Sequence, residues 1–142
     1  MIEIIEVTDK QNLEKVFAIR EKVFVEEQNV SRADEYDEFE NTAHHYLALC
    51  DGKPCGAARW RITGNGVKLE RFAVLADYRN NNVGSQLLSK LLADIKARTT
   101  QGTIYLHAQL PAMNLYRRAG FEKQGALFLE CDIEHYKMVL LR

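Results

Sequence analysis

The sequence predicts a mixed α/β domain, because segments with the pattern of strands precede, separate and follow segments with the pattern of helices. Residues 2–7 alternate apolar and acidic side chains, as a strand with one buried face does. Residues 13–24 instead repeat apolar side chains at helical spacing. The length of 142 residues suits one domain, so we expect residues 1–142 to fold as a single unit.

The first helix is predicted to follow Thr8 or Asp9, since either side chain can cap it. Arg20 falls within its apolar stripe, where a charged residue is unusual. Residues 29–41 are acidic and poor in apolar side chains, which predicts a loop. Most acidic runs are simply solvated, although such a loop could also attract a cationic amine.

Two turns divide the middle of the chain. Residues 51–54 have the composition of a hairpin turn, and residues 64–66 form a second turn rich in glycine. The strands that these turns join are predicted at 46–50, 55–62 and 67–74. The remaining predicted elements are a helix from Val83, a strand at 103–108, a helix from Pro111 to Gly120, and a last pair of strands that begins at Phe121 and finishes at 136–141.

The composition excludes several classes of function. A net charge of −1 without a basic block argues against a nucleic-acid-binding protein that relies on phosphate contacts. No apolar run approaches the roughly 20 residues of a membrane span, and no signal-peptide pattern opens the chain. Three scattered cysteines cannot form a disulfide framework. We therefore expect a cytoplasmic protein that binds neither nucleic acid nor membrane.

The histidines and cysteines do not predict a metal site. The spacing between Cys50 and Cys55 is at the loose end for zinc, and the adjacent histidines at 44–45 point to opposite faces of a strand. A nucleophilic cysteine is not indicated either, because no cysteine–histidine signature is present. Cys131, which lies near His135 in the sequence, is expected to be a packing residue.

The turn before Val83 has the features of an anion site. The first N–H groups of a helix lack intrahelical partners, and together with the helix dipole they bind phosphates. Three consecutive asparagines precede this helix, and asparagine tolerates the left-handed backbone angles that a tight turn needs. The Gly-Lys-Ser/Thr ending of a P-loop is absent. The residues of this phosphate cradle are Arg79, Asn80, Asn81, Asn82, Val83, Gly84 and Ser85.

The cradle resembles motif A of the GNAT family of N-acetyltransferases, Arg/Gln-x-x-Gly-x-Gly/Ala, which binds the pyrophosphate of acetyl-coenzyme A. Arg79 and Gly84 match its first and last positions, while Asn82 stands where a glycine is usual. Residues 109–121 resemble a second family segment, Asn-x-x-Ala-x-x-x-Tyr-x-x-x-Gly-Phe. The matches in that segment are Ala112, Tyr116, Gly120 and Phe121, with Gln109 in place of the asparagine.

A narrower resemblance lies outside these two motifs. Residues 19–28, the acidic Asp34 and Asp37, the histidines at 44–45 and the segment 133–138 are similar to the small bacterial GNAT branch typified by the ElaA and YjcF proteins.

The resemblance implies the GNAT fold, with a mixed, mostly antiparallel central sheet flanked by helices. It implies acetyl-coenzyme A as cosubstrate, no metal, and direct transfer of acetyl to a primary amine of a small molecule or peptide. The alternative is a non-catalytic sensor that binds coenzyme A or an acyl-coenzyme A, because Asn82 and Gln109 depart from the family pattern. The chain could also form a homodimer.

The resemblance further implies two catalytic residues. Tyr116 would protonate the departing thiolate, since a phenol of pKa about 10 is a plausible donor to a thiolate of pKa about 8.5. Glu70 would be the general base for the amine, directly or through a water. The alternative for Glu70 is an ion pair with Arg71 or Arg59, because a carboxylate on a central strand is costly unless it is paired.

The same comparison with the family suggests where the two substrates bind. The backbone of Phe72, Ala73 and Val74 would pair with the pantetheine arm of the cofactor, and Gln109 would contact that arm. The end of the first helical region would form a wall of the acceptor site, with a solvated helix end as the alternative. The acceptor-binding residues predicted there are Arg20, Glu27 and Gln28.

Overall fold

The computed structural model describes residues 1–100 and 102–140, which form a central sheet of seven strands in the order β1-β2-β3-β4-β5-β7-β6. Neighbouring strands are antiparallel except for β4 and β5, which are parallel. The strands are β1 (Ile2–Glu6), β2 (His44–Cys50), β3 (Lys53–Thr63), β4 (Gly66–Val74), β5 (Ile104–Gln109), β6 (Glu122–Glu130) and β7 (Ile133–Leu140). The predicted mixed, mostly antiparallel sheet is confirmed; Leu141 of the predicted last strand lies outside the described residues.

Helices cover both faces of the sheet. They are α1 (Lys10–Arg20), α2 (Arg32–Glu35), α3 (Val83–Arg98) and α4 (Met113–Arg118). Asp9 caps α1 as predicted, since its carboxylate accepts a 3.2 Å hydrogen bond from the backbone N–H of Asn12. No helix of the described residues is long and apolar enough to cross a membrane.

The chain passes directly from α1 into a π-helical segment, Glu21–Glu27. Its end is marked by a 3.1 Å hydrogen bond from the backbone N–H of Gln28 to the carbonyl of Val23, five residues earlier. Short π-helical stretches are rare in proteins, and those that occur often lie at functional sites. This segment sets the direction in which Glu27 and Gln28 leave the helix.

An apolar core lies on each face of the sheet. On one face α3 buries Leu87, Leu91 and Ile95, which recur at the helical spacing that the sequence shows. On the other face α1 buries Val16 and Ile19. Burying each such side chain stabilises the fold by about 1.5–3 kcal/mol. The two cores hold the central strands in fixed positions. The ends of these strands therefore have fixed positions too, and they form the walls of the cavity described below.

The strands β4 and β5 separate before they end. Their parallel pairing covers only three residues of each strand, from Val67 opposite Ile104 to Leu69 opposite Leu106. Beyond this point β4 continues to Val74 and β5 to Gln109, and no ladder joins them in the described part of the chain. A cleft therefore opens in the middle of the sheet.

A β-bulge lies in β4 where the cleft begins. Ala57 of β3 faces Ala73, but Arg59 faces Glu70, so two residues of β4 oppose one residue of β3. Arg71 takes up the extra residue with a left-handed φ of 59°. Such bulges bend a strand and redirect its side chains, often beside active sites.

Candidate active site

The cleft between β4 and β5 widens into a cavity of about 680 Å³. Its walls come from both strands, the π-helical segment, α4 and the β6–β7 turn. A cavity of this size and position can hold a ligand in the middle of the sheet. The predicted site residues that line it are Glu27, Gln28, Glu70, Phe72, Ala73, Val74, Arg79, Gln109 and Tyr116. Arg20 is absent from these walls. The cradle residues 80–85, which follow Arg79 along the chain, are absent from them as well.

The cradle presents a row of unused donors. Asn80 and Asn82 adopt left-handed φ angles of 66° and 68°. The first hydrogen bond of α3 runs from the backbone N–H of Gln86 to the carbonyl of Asn82, at 3.0 Å. Within the described residues, the backbone N–H groups of 80–85 find no acceptor. They form the donor set that an anion requires at a helix N-terminus.

Gly84 has a packing role as well as a place in the cradle. A Cβ at this position would lie 3.2 Å from Cδ2 of Leu115 on α4. That distance is tight, so the absence of a side chain lets α4 approach the first turn of α3 closely. Both the packing and the access of a ligand to the backbone favour glycine here.

Arg79 is held by an acidic residue. Its guanidinium donates two hydrogen bonds to Glu27, of 2.6 and 2.7 Å, and its Nε donates to the carbonyl of Val74 at 2.9 Å. The hydrogen bonds from Arg79 lower the pKa of Glu27 below its usual value. Glu27, predicted to bind the acceptor, therefore contacts the residue predicted to bind the pyrophosphate.

Tyr116 is buried in an aromatic environment. Its ring packs edge-on against Phe72 at 5.7 Å between centroids and against Phe121 at 6.1 Å. Burial raises the pKa of its phenol, which therefore stays protonated. No group of the described residues forms a hydrogen bond with the hydroxyl. Tyr116 can therefore offer its proton to a ligand in the cavity.

Glu70 lies among three cations. Its carboxylate is 2.7 Å from Nε of Arg59, 2.8 Å from Nε of Arg61 and 3.3 Å from Nζ of Lys68. Burial by itself would raise the pKa of Glu70, but the hydrogen bond from Arg61 and the surrounding positive charges bring it below the usual value. Glu70 is thus a weak proton acceptor, and the geometry favours the ion-pair alternative, with Arg59 as a partner.

Arg71 pairs elsewhere. Its guanidinium donates to the backbone carbonyl of Glu35 at 3.0 Å and to the carboxylate of Asp37 at 3.2 Å. Arg71 and Arg59 both donate to Asp37, so Arg71 belongs to the same ion-pair network as Glu70 without bonding to it. Sequence alternation along the strand contained no sign of the bulge at Arg71.

Arg20 is a buried structural cation. Only 1% of the residue is exposed, and its guanidinium donates to the carboxylates of Glu35 at 2.7 Å and Glu40 at 2.8 Å. The structure does not bring Arg20 to the cavity, which corrects its prediction as an acceptor-binding residue. All of its hydrogen-bonding nitrogens already have acceptors, so it has none left for a ligand.

The predicted solvated loop at 29–41 is also corrected. Ser31 caps the short helix α2, and the carboxylates of Glu35, Asp37 and Glu40 bind arginines instead of facing water. A buried Arg59, which is 0% exposed, connects this loop to Glu70. The loop therefore packs on the sheet through ion pairs, and its charge is largely neutralised.

Gln28 and Gln109 contact each other across the cavity. The amide nitrogen of Gln109 donates to the side-chain oxygen of Gln28 at 2.9 Å. One of these residues was predicted to contact the acceptor and the other the cofactor arm. Their contact brings the π-helical segment and the end of β5 to the same point.

Sequence reasoning gave no role in the site to three polar residues that lie together on the cavity wall: His107 on β5, Glu130 on β6 and His135 on β7. Nδ1 of His107 is 3.0 Å from Oε2 of Glu130, and Nδ1 of His135 is 2.7 Å from the carbonyl of Ile133. Nε2 of His135 is 3.9 Å from Oε1 of Glu130. We call these three residues the imidazole–carboxylate cluster.

Within residues 1–100 and 102–140, no three histidine, cysteine or acidic side chains are placed so that they could hold a metal ion. His44 stacks on Trp60 with 4.0 Å between ring centroids. Nε2 of His45 is 2.8 Å from the carbonyl of Glu40. His44 is thus engaged in packing, whereas His45 bonds through Nε2 and its buried Nδ1 has no hydrogen-bond partner among the described residues.

Comparisons with known proteins identify the family of this chain. The profile of the Acetyltransferase (GNAT) domain matches residues 5–142. The uncharacterized N-acetyltransferase YjcF of Bacillus subtilis is 36% identical over 135 residues, covering 92% of this chain and 94% of YjcF. The crystal structure of Escherichia coli ElaA superposes with a TM-score of 0.87 and 27% identity, covering 99% of each chain.

A more distant structure shares the fold alone. It is a GNAT family acetyltransferase of Elizabethkingia anophelis with acetyl-coenzyme A bound, which has a TM-score of 0.75 and 13% identity over 99% of this chain and 98% of that one. The match of the family profile over almost the whole chain and the identity to YjcF confirm the resemblance seen in the two sequence motifs. The chain belongs to the GNAT family of acetyltransferases.

Proposed function

We propose that this protein transfers an acetyl group from acetyl-coenzyme A to a primary amine of a small molecule or peptide. The neutral amine attacks the thioester carbonyl directly, so that the C–N bond forms as the C–S bond breaks. The observation that carries the proposal is the unpaired end of β4, which leads into the row of free N–H groups at 80–85.

The cofactor would lie along this continuous backbone surface. Among the described residues, Phe72, Ala73 and Val74 have no partner strand on the β5 side, so an extended arm with amide groups can pair there. The diphosphate would then reach the N–H groups of the cradle, with Arg79 as a counter-charge. Gln109 ends β5 beside this path and can donate its amide to the arm.

Catalysis would come from the positioning of the amine against the thioester and from one general acid. Holding the amine against the thioester supplies proximity, and a free N–H of β4 can stabilise the developing oxyanion. Tyr116 would donate the proton that the departing thiolate needs, because burial keeps its phenol protonated. Glu70 was predicted as the base, but its three cationic neighbours support a role in fixing Arg61 and Lys68 on the cavity wall.

A thiol-release assay over a panel of primary amines, combined with calorimetry of acetyl-coenzyme A binding, tests this function. We expect saturable cofactor binding and amine-dependent release of coenzyme A. Binding without release for any amine would favour the sensor alternative. Absence of binding would overturn both functions, because each depends on the same cradle.

A further inference from the structure

The imidazole–carboxylate cluster lies on the cavity wall formed by β5, β6 and β7, and the proposed reaction has so far given it no role. The register of the sheet assembles it, since β7 pairs with both β5 and β6. His135 faces Gln109 on one side and Phe128 on the other. All three residues of the cluster therefore lie on strands, with Glu130 at the end of β6 next to the β6–β7 turn.

His135 presents an unused ring nitrogen to the cavity. The residue is 6% exposed, and its Nδ1 donates to the carbonyl of Ile133 at 2.7 Å. That bond places the proton of the neutral ring on Nδ1 and leaves the lone pair on Nε2. Within the described residues Nε2 has no hydrogen bond, since Oε1 of Glu130 at 3.9 Å is too distant.

Glu130 differs from the other carboxylates of the cavity in its partners. Those carboxylates that pair with arginine or lysine are Glu27, Glu35, Asp37 and Glu70. Among the described residues, the ion-pair partners of Glu130 are His107 and His135, which carry a charge only when protonated. Asp34 also borders the cavity, on the exposed surface of α2. Glu130 thus has no permanent cation within ion-pair distance and can hold one from a ligand.

We propose that the acceptor is a cationic primary amine whose ammonium group bridges Oε1 of Glu130 and Nε2 of His135, and that His135 removes its proton. The inference rests on the acetyl transfer proposed above and names its acceptor class and its base. An ammonium nitrogen carries three donors, so it can satisfy both atoms, which no group of the described protein joins. Glu130 is a binding residue in this scheme and His135 a catalytic one.

The ammonium group loses one proton to Nε2 of His135, and the freed lone pair forms the C–N bond with the thioester carbon. The C–S bond breaks, its electron pair stays on sulfur, and sulfur takes the proton of Tyr116. Tyr116 recovers a proton from the new amide nitrogen, and His135 releases its proton to water. The products are the acetamide, the thiol of coenzyme A and one proton.

Charged groups from several elements lie around His135 and Glu130. Glu130 faces His135 from β6, His107 acts through Glu130 from β5, and Lys68 of β4 lies close enough to affect the pKa of Glu130. At the β6–β7 turn, Asp34, Glu35 and Arg71 lie close enough to Cys131 to affect the pKa of its thiol. Proton removal by a general base predicts that kcat/KM for the amine rises with pH.

The kinetic test compares the parent with His135→Gln and Glu130→Gln, using an amine that the parent acetylates. We expect His135→Gln to lower kcat/KM for the amine by about 100-fold and to abolish its rise with pH. Glu130→Gln should raise the KM of the amine. Glu134→Gln is the matched control, because Glu134 is exposed and adjacent on β7. An unchanged pH profile in His135→Gln, or its loss in Glu70→Gln instead, would overturn the assignment of the base.

Binding is tested separately by nitrogen NMR of the histidine rings with n-butylamine as probe and n-butanol as its uncharged analogue, both with coenzyme A present. We expect n-butylamine, and not n-butanol, to shift the Nε2 resonance of His135 in the parent and in Glu134→Gln but not in Glu130→Gln. An unchanged Nε2 resonance of His135 on addition of n-butylamine to the parent would overturn the inference. Failure of all amines in the thiol-release assay would instead count against the proposed acetyl transfer, and the NMR result would still decide the binding step.

Discussion

Asn82 stands where the family motif has a glycine, and like Asn80 it adopts a backbone conformation that suits glycine. Both residues have φ near +67°, a conformation that glycine adopts freely and asparagine tolerates better than other side chains. The cradle therefore keeps its shape and its free N–H groups without the middle glycine. The structure gives no reason to interpret Asn82 as a sign of a degenerate site.

Substituting Gly84 tests the cradle. We expect Gly84→Val to weaken acetyl-coenzyme A binding by about tenfold or more, measured by calorimetry, because the new side chain would crowd both Leu115 and the exposed N–H groups. Gly64→Val is the control, since a Cβ at Gly64 meets no atom within 4 Å. Equal affinity in the parent and in Gly84→Val would place the pyrophosphate elsewhere.

Substituting Tyr116 tests the acid. We expect Tyr116→Phe to lower kcat by about 10²–10⁴-fold while the affinity for acetyl-coenzyme A stays nearly constant. The fold should tolerate the change, because no group of the described residues bonds to the hydroxyl and the ring contacts with Phe72 and Phe121 remain. A kcat within twofold of the parent would mean that the phenol only packs. Stopped-assay rates at saturating acetyl-coenzyme A measure the difference.

At the level of elements, the first helix illustrates the limit of periodicity. The apolar stripe predicted a helix through Phe24, and the chain is helical there, but the hydrogen bonds change to the π pattern after Arg20. A seven-residue π segment preserves the helical spacing well enough to hide in the sequence. The placement of Glu27 and Gln28 on the cavity wall follows from that change and could not be predicted.

The acidic loop and the sheet are joined by Arg59, which donates to Asp37, Glu40 and Glu70. Burial alone would raise the pKa of Asp37, but the hydrogen bonds and charge of Arg59 lower it to about 2, from 3.8. A carboxyl with a lowered pKa in the folded state stabilises the protein above its unfolded pKa. That stability is lost as the pH falls from about 4 toward 2.

We therefore expect Asp37→Asn to lower the free energy of unfolding at pH 7 by about 2 kcal/mol and to flatten its decline between about pH 4 and pH 2. Denaturant titrations at several pH values measure both effects. Glu38→Gln removes an exposed carboxylate of the same loop and should change neither. An Asp37→Asn curve parallel to that of the parent would show that the ion pairs contribute little net stability.

At the level of the whole molecule, the sequence predicted the order of elements and the left-handed turn before α3, because both depend on neighbouring residues. The turn at 80–85 and the segment at 109–121 each carry their signal within a short stretch of chain. The imidazole–carboxylate cluster does not, since His107 and Glu130 are 23 residues apart and meet only through the strand order β5-β7-β6. Strand order and register were beyond the reach of local patterns, and so was this wall of the cavity.

The pair formed by Glu27 and Arg79 has a kinetic consequence. It is exposed, so it contributes little to stability and can be exchanged for another anion. A diphosphate that binds Arg79 would displace the carboxylate of Glu27, which would then face the cavity. The negative charge of this carboxylate would attract the amine. We expect steady-state kinetics to show acetyl-coenzyme A adding first and the amine second. Glu27→Gln should make the order of addition random, because it removes the charge that the first substrate exposes for the second.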